Sequence, residues 1–280
     1  METMIKRDWD NYVRNLWARM KGRRMIAFLL LTFFFMDIYM SPFREIVRIM
    51  GEKCNIVVLP FLQTKDFFMK KMFLVVVYFF SNVPFMEKTE LFYLGRLGKE
   101  RWGKRNIFYI AISSVFLTLI LFIISVAEVW SVAKVSLSWD AVMKTVALTK
   151  IESMKFAIQY EIMDAYQPME LLIHILVLDW LVITMIGLLM YTISLFYKRI
   201  LATVIAVVLV FLPSIDVWLG GCLVYFSPLS WLDCSNWRIG FDNAKPDYLY
   251  MLVASIFVNV LLVVLARWQT RRMEWKPQED

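Results

Sequence analysis

From Leu171 to Phe196 the chain reads LLIHILVLDWLVITMIGLLMYTISLF, where Asp179 is the only full charge and His174 the only group that titrates near neutrality. A bilayer-crossing helix needs about 20 consecutive apolar residues, and few other structures can hide a run this long. Comparable runs occupy about 25–40, 67–86, 106–127, 200–223 and 248–266. Composition agrees: 60% of the residues are hydrophobic and 20% are charged, against about 25% charged in an ordinary soluble domain. The expectation is an all-α membrane protein with six transmembrane helices. No stretch is long and polar enough for a separate soluble domain, so 25–280 reads as one six-span domain preceded by a short helix over 1–24.

The basic residues set an orientation. Lys and Arg collect in 1–24, 87–105, 197–199 and the tail from Arg267, each beside an apolar span, whereas acids balance them in the other connections. Basic loops stay on the cytoplasmic side, so both termini are expected there, in a multi-pass protein of the cytoplasmic membrane. The net charge of +7 is therefore a topology signal and does not point to nucleic acid. Residues 1–24 lack a small-residue cleavage site and do not read as a signal peptide. Trp9, Tyr12, Val13, Leu16, Trp17 and Met20 recur on one helical face, which predicts an amphipathic helix lying on the inner membrane surface and meeting lipid.

Residues 81–105, SNVPFMEKTELFYLGRLGKERWGKR, form the most basic connection. Leu91, Leu94 and Leu97 with Phe92 and Tyr93 make an apolar stripe, while Glu90, Arg96, Lys99 and Glu100 lie off it. That predicts a short amphipathic helix at the inner surface. The outer connections differ. Residues 41–66 hold an apolar island, Ile56 to Leu62, after a first span closed at Ser41-Pro42. Residues 128–170 predict a partly helical external cap, with Ser138 capping a helix from 139 that carries Val142, Met143 and Val146 on one side. YFSPLSWLDCSNW, from Tyr225, is apolar but too short and Pro-broken to span, and reads as a re-entrant element before the last span.

Enzymatic motifs are missing. Gly98 to Arg105 nearly spells a phosphate-binding loop, but Arg105 stands where a hydroxyl must hold Mg²⁺ and no strand precedes it. His174 and Asp179, five apart, do not share a helical face. One histidine and Cys54, Cys222 and Cys234 in unrelated positions give no metal pattern. A disulfide between Cys54 and Cys234 stays open. No cofactor is expected. The intramembrane ionisable residues Asp37, His174, Asp179 and Asp216 are candidates for a translocation path, since buried charge in a bilayer is costly; the bland alternative is that each is bonded to a neighbour as a helix-end or packing residue.

SNVPF at 81–85, Arg96-x-Gly98-x-x-x-Trp102, and YFSPLSW at 225–231 resemble the corresponding pieces of type-2 ABC-transporter permeases, the membrane halves of bacterial exporters. The amphipathic start, six spans and long third outer connection are similar in architecture over nearly the whole chain. The resemblance implies a subunit, itself not an enzyme, that pairs with a second permease chain and receives a separate cytoplasmic ATPase. In that family 87–102 would be the coupling helix, with ATPase contacts at Glu90, Tyr93, Arg96 and Trp102. The first span, short and carrying Asp37, departs from the pattern. The competing classes are a membrane-embedded enzyme using outer-face acids and a non-transporting scaffold.

Overall fold

A computed structural model describes residues 22–84, 98–149, 154–218, 221–240 and 245–272. The expected interfacial helix over 1–24 and most of the 87–102 helix lie outside the described residues. Helix α1 (Arg23–Met50) is followed by β1 (Cys54–Asn55), α2 (Leu59–Leu62) and α3 (Asp66–Phe80). Then come α4 (Lys99–Val129), β2 (Ala133–Lys134), α5 (Ala141–Thr149), α6 (Tyr160–Ala165), α7 (Pro168–Phe196), α8 (Arg199–Trp218) and α9 (Tyr248–Arg272). Among the described residues five helices, α1, α4, α7, α8 and α9, are long and apolar enough to cross a membrane. The chain is a multi-pass, all-α membrane protein. The outward faces of α1, α8 and α9 expose Leu30, Phe33 and Phe34, Val204 and Val208, and Val253, Phe257 and Val260, a belt suited to lipid and not to water.

The expected second span over 67–86 is shorter in the structure. α3 has 15 residues, about 22 Å at 1.5 Å per residue, and a turn follows at Ser81. It is apolar on nearly every side and packs among α1, α7 and α8, with Phe68, Phe73, Val76 and Phe80 buried.

The first span is longer than expected. It does not close at Ser41-Pro42; α1 continues through Pro42 to Met50, where Gly51 ends it in the left-handed conformation at φ 69°. Proline inside a helix removes the donor to the carbonyl four residues back and costs about 3 kcal/mol. Here that carbonyl belongs to Ile38, and Lys155 Nζ donates to it at 3.1 Å. Beyond the proline, Phe43 and Val47 are buried. Arg44 forms ion pairs with Asp37 and with Glu128 on α4.

α7 is the central helix. It is apolar all round, and such a helix is stable only when surrounded; it touches α2, α3, α4, α8 and α9. Gly187 permits the approach: a Cβ there would sit 2.6 Å from Ile110 Cγ2 on α4 and 3.2 Å from the Phe80 ring on α3. Polar side chains tie α7 to α9, with Asn259 Nδ2 donating to Leu181 O at 3.1 Å and Gln269 Nε2 to Leu195 O at 3.3 Å. Such bonds serve in lipid, where apolar surface alone drives little association.

The connections at the far end of α1 form a packed cap. β1 pairs in parallel with β2, Cys54 opposite Ala133 and Asn55 opposite Lys134. Val142, Met143 and Val146 of α5 are buried, as the pattern predicts. The capping residue is Asp140, not Ser138: Asp140 Oδ1 accepts from Met143 N at 2.9 Å. The Ser138 carbonyl is instead bound by Asn55 Nδ2 at 3.3 Å, which holds it out of the helix. Trp139 Nε1 donates to Tyr166 O at 2.8 Å, and its ring packs on Phe61.

The segment from Gly221 folds back on the bundle in two short 3₁₀ turns, Ser230–Leu232 and Cys234–Asn236. Its indoles find backbone acceptors at depth: Trp231 Nε1 donates to Val224 O at 2.9 Å and Trp237 Nε1 to Trp231 O at 2.8 Å. Irregular backbone of this kind is tolerated where protein covers it. Cys54 and Cys234 are both buried free thiols, not a disulfide, and burial pushes the Cys54 thiol up to about 12.

Candidate functional site

The bundle has two chemically different ends. At one, α1 begins, α3 stops, α4 starts, α7 hands over to α8, and α9 finishes. Arg24 donates to Ser81 Oγ at 2.7 Å and to Tyr78 O at 3.3 Å. Arg271 meets Glu100 at 3.2 Å, and Lys104 meets the same carboxylate at 3.1 Å. Gly103 lies so near α9 that a Cβ would stand 2.8 Å from Thr270 Cγ2. Trp102 is 2% exposed and packs on Tyr191 of α7 with ring centroids 6.3 Å apart. Of the four coupling residues implied by the resemblance, Trp102 is therefore part of the chain's own packing, and Glu90, Tyr93 and Arg96 lie outside the described residues.

The opposite end holds the expected path residues, in three separate places. Asp37 lies in an open groove of about 520 Å³ between α1 and the end of α4. Its side chain is 48% exposed and paired with Arg44, whose guanidinium also holds the nearly buried Glu128. His174 belongs to an aromatic cluster: its ring stacks on Tyr248 at 4.0 Å and meets Tyr166 edge-on at 5.7 Å. It stands apart from Asp179, as the five-residue spacing predicts.

Asp179 and Asp216 are related only through Gln63. Asp179 is fully buried, and Gln63 Nε2 donates to both of its oxygens at 2.9 Å. Gln63 in turn lines a cavity of about 410 Å³ enclosed by α3, α8 and the segment from Gly221. Asp216 lines the same cavity. Its Oδ1 accepts from Leu223 N and its carbonyl from Gly221 N at 3.0 Å, so it also closes the turn that ends α8.

Four further charged residues, Asp66, Lys70, Asp233 and Lys245, complete the cavity wall. Lys70 is buried and bonds Asp66, one helical turn before it, and Ser214 of α8. Asp233 accepts from Ser235 N at 2.9 Å. Burial, above all, pushes its carboxyl up to about 6, against the lowering effect of that bond. Lys245 stands at the rim. Sequence reasoning found Asp179 and Asp216 because they interrupt apolar runs. It missed Gln63, a neutral amide in an irregular stretch, and Asp233, one more acid in a polar connection. The Asp66–Lys70 spacing of four is the one signal that could have flagged the site.

No protein-family model matches the chain, nor does any curated protein or solved structure.

Proposed function

We propose that the chain is the permease subunit of a type-2 ABC transporter, exporting a substrate across the cytoplasmic membrane with a separate ATPase and a second permease chain. In this reading the chain crosses six times, α3 supplying the short second crossing. The end carrying Arg24, Lys104, Arg199 and Arg271 faces the cytoplasm, with both termini.

The observation that carries the reading is where the connection between α3 and α4 leaves and re-enters the bundle. It does so at the basic end, and both of its roots are wired to other helices. Arg24 joins α1 to Ser81 at the first root; Thr270 against Gly103, and Arg271 on Glu100, join α9 to the second. A push on residues 87–97 would reach α1, α3, α4 and α9 together. Glu90, Tyr93 and Arg96 supply the docking contacts, and Trp102, buried on Tyr191, carries the load into α7.

Co-purification with an ABC ATPase in mild detergent tests this. Aromatic and Arg anchors each contribute about 2 kcal/mol or more at an interface. Tyr93→Ala and Arg96→Ala should therefore lose the ATPase while Lys88→Ala and Lys99→Ala, each removing a single cation of the kind that contributes little at a surface, retain it. Full retention by the first two variants rejects the assignment.

A further inference from the structure

The cavity between α3, α8 and the segment from Gly221 has the build of a ligand site, and its wall has an unmet need. Its volume of about 410 Å³ falls within the range of about 300–1,000 Å³ typical of small-molecule pockets. Met69, Val210, Pro213, Val224 and Leu229 give it an apolar lining. Its charges do not cancel. Lys70 is engaged by Asp66 and Ser214, and the charge of Lys245 acts on Asp233. Asp216 accepts backbone N–H groups but is paired with no cation among the described residues. Gln63 is 3% exposed, and its Oε1 is buried with no hydrogen-bond partner among the described residues.

We propose that this cavity binds a primary ammonium carried on an apolar body, the ammonium donating to Asp216 and the body lying against Met69, Val210 and Leu229. Three N–H donors and one positive charge meet what the wall lacks; a carboxylate would face Asp216 and Asp233, and an alcohol would bring no charge. A free amine and an aminolipid headgroup share this chemistry. The site does not depend on the ATPase reading, since binding is measured on the permease chain alone.

The experiment is calorimetric titration of the full chain in nanodiscs of phosphatidylcholine and phosphatidylglycerol, with phenethylamine as probe. 2-Phenylethanol and 3-phenylpropanoate serve as neutral and anionic matches. Asp216→Asn and Asp233→Asn keep an oxygen for Leu223 N and Ser235 N, so the turns they close survive. Asp216→Asn should weaken phenethylamine by about tenfold, the scale of a lost charge-assisted bond, and Asp233→Asn, which removes only a neighbouring negative charge, should weaken it less. Asp37→Asn, in the separate groove, should leave it unchanged. Nanodiscs that also contain phosphatidylethanolamine identify the source: competition with phenethylamine marks the headgroup as the occupant, and unchanged affinity marks a free amine. Equal binding of 2-phenylethanol, or full affinity in both Asn variants, overturns the proposal.

Discussion

Asp233 is a carboxylate held where it is less stable than in water. Its carboxyl titrates at about 6 against an ordinary 3.8, chiefly through burial. The fold thus favours the neutral acid: this contribution is fully present below about pH 3.8 and is lost as pH rises to about 6. A gap of about 2 pH units corresponds to at most about 3 kcal/mol. Asp233→Asn should therefore raise the melting temperature in detergent at pH 7.5, and the gain should vanish at pH 4; equal melting of the two proteins at pH 7.5 would contradict this. Arg44 presents the opposite case. Arg44→Ala strands the Glu128 carboxylate, whose side chain is 2% exposed, and leaving a buried acceptor without its partner at this part-open site costs about 1–3 kcal/mol. Adding Glu128→Gln to Arg44→Ala should restore much of that loss in a thermal melt. If the double variant is no more stable than the single, the ion pair is not what holds α1 to α4.

At the scale of elements, the closest approach is at Gly187. Gly187→Val would press branched carbon into Ile110 and Phe80, and overpacking of that kind costs about 1–3 kcal/mol. Expressed protein should melt lower while Gly51, at an exposed cap, tolerates Asn with little change. The helices themselves were legible in the sequence because a long apolar run has one stable fate in a bilayer. Their ends were less so. Pro42 reads locally as a stop, and only Lys155, distant in the chain, supplies the donor that lets α1 pass through it. Ser138 and Asp140 are equally good capping residues by type; Asn55, holding the Ser138 carbonyl, decides between them. The candidate site was half legible for the same reason. Asp179 and Asp216 announce themselves as charges among apolar residues, but the cavity depends on Gln63 and Asp233, whose roles arise only when α3, α8 and the irregular segment meet.

For the whole molecule, orientation is the property on which the transport reading rests. Single cysteines at positions 99 and 276 should react with an impermeant thiol reagent only after the membrane is opened, and one at 150 should react in intact cells. Reaction at 99 from outside would invert the topology and detach the 87–97 connection from any cytoplasmic ATPase. The length of α3 carries an electrical consequence. In the proposed six-span reading α3, at about 22 Å against about 30 Å of hydrocarbon and flanked by α1, α7 and α8, would leave the rest of its crossing to be lined by protein instead of lipid. The membrane voltage would then drop over a thinner barrier at this point than through the surrounding lipid. In the same reading, an ammonium held on Asp216 near the end of α8 would sit part of the way into that drop. Its affinity should shift with voltage by a fraction of the ~2.3 kcal/mol per 100 mV that a full crossing entails, so a polarised proteoliposome would load or release the cavity according to the sign of its potential.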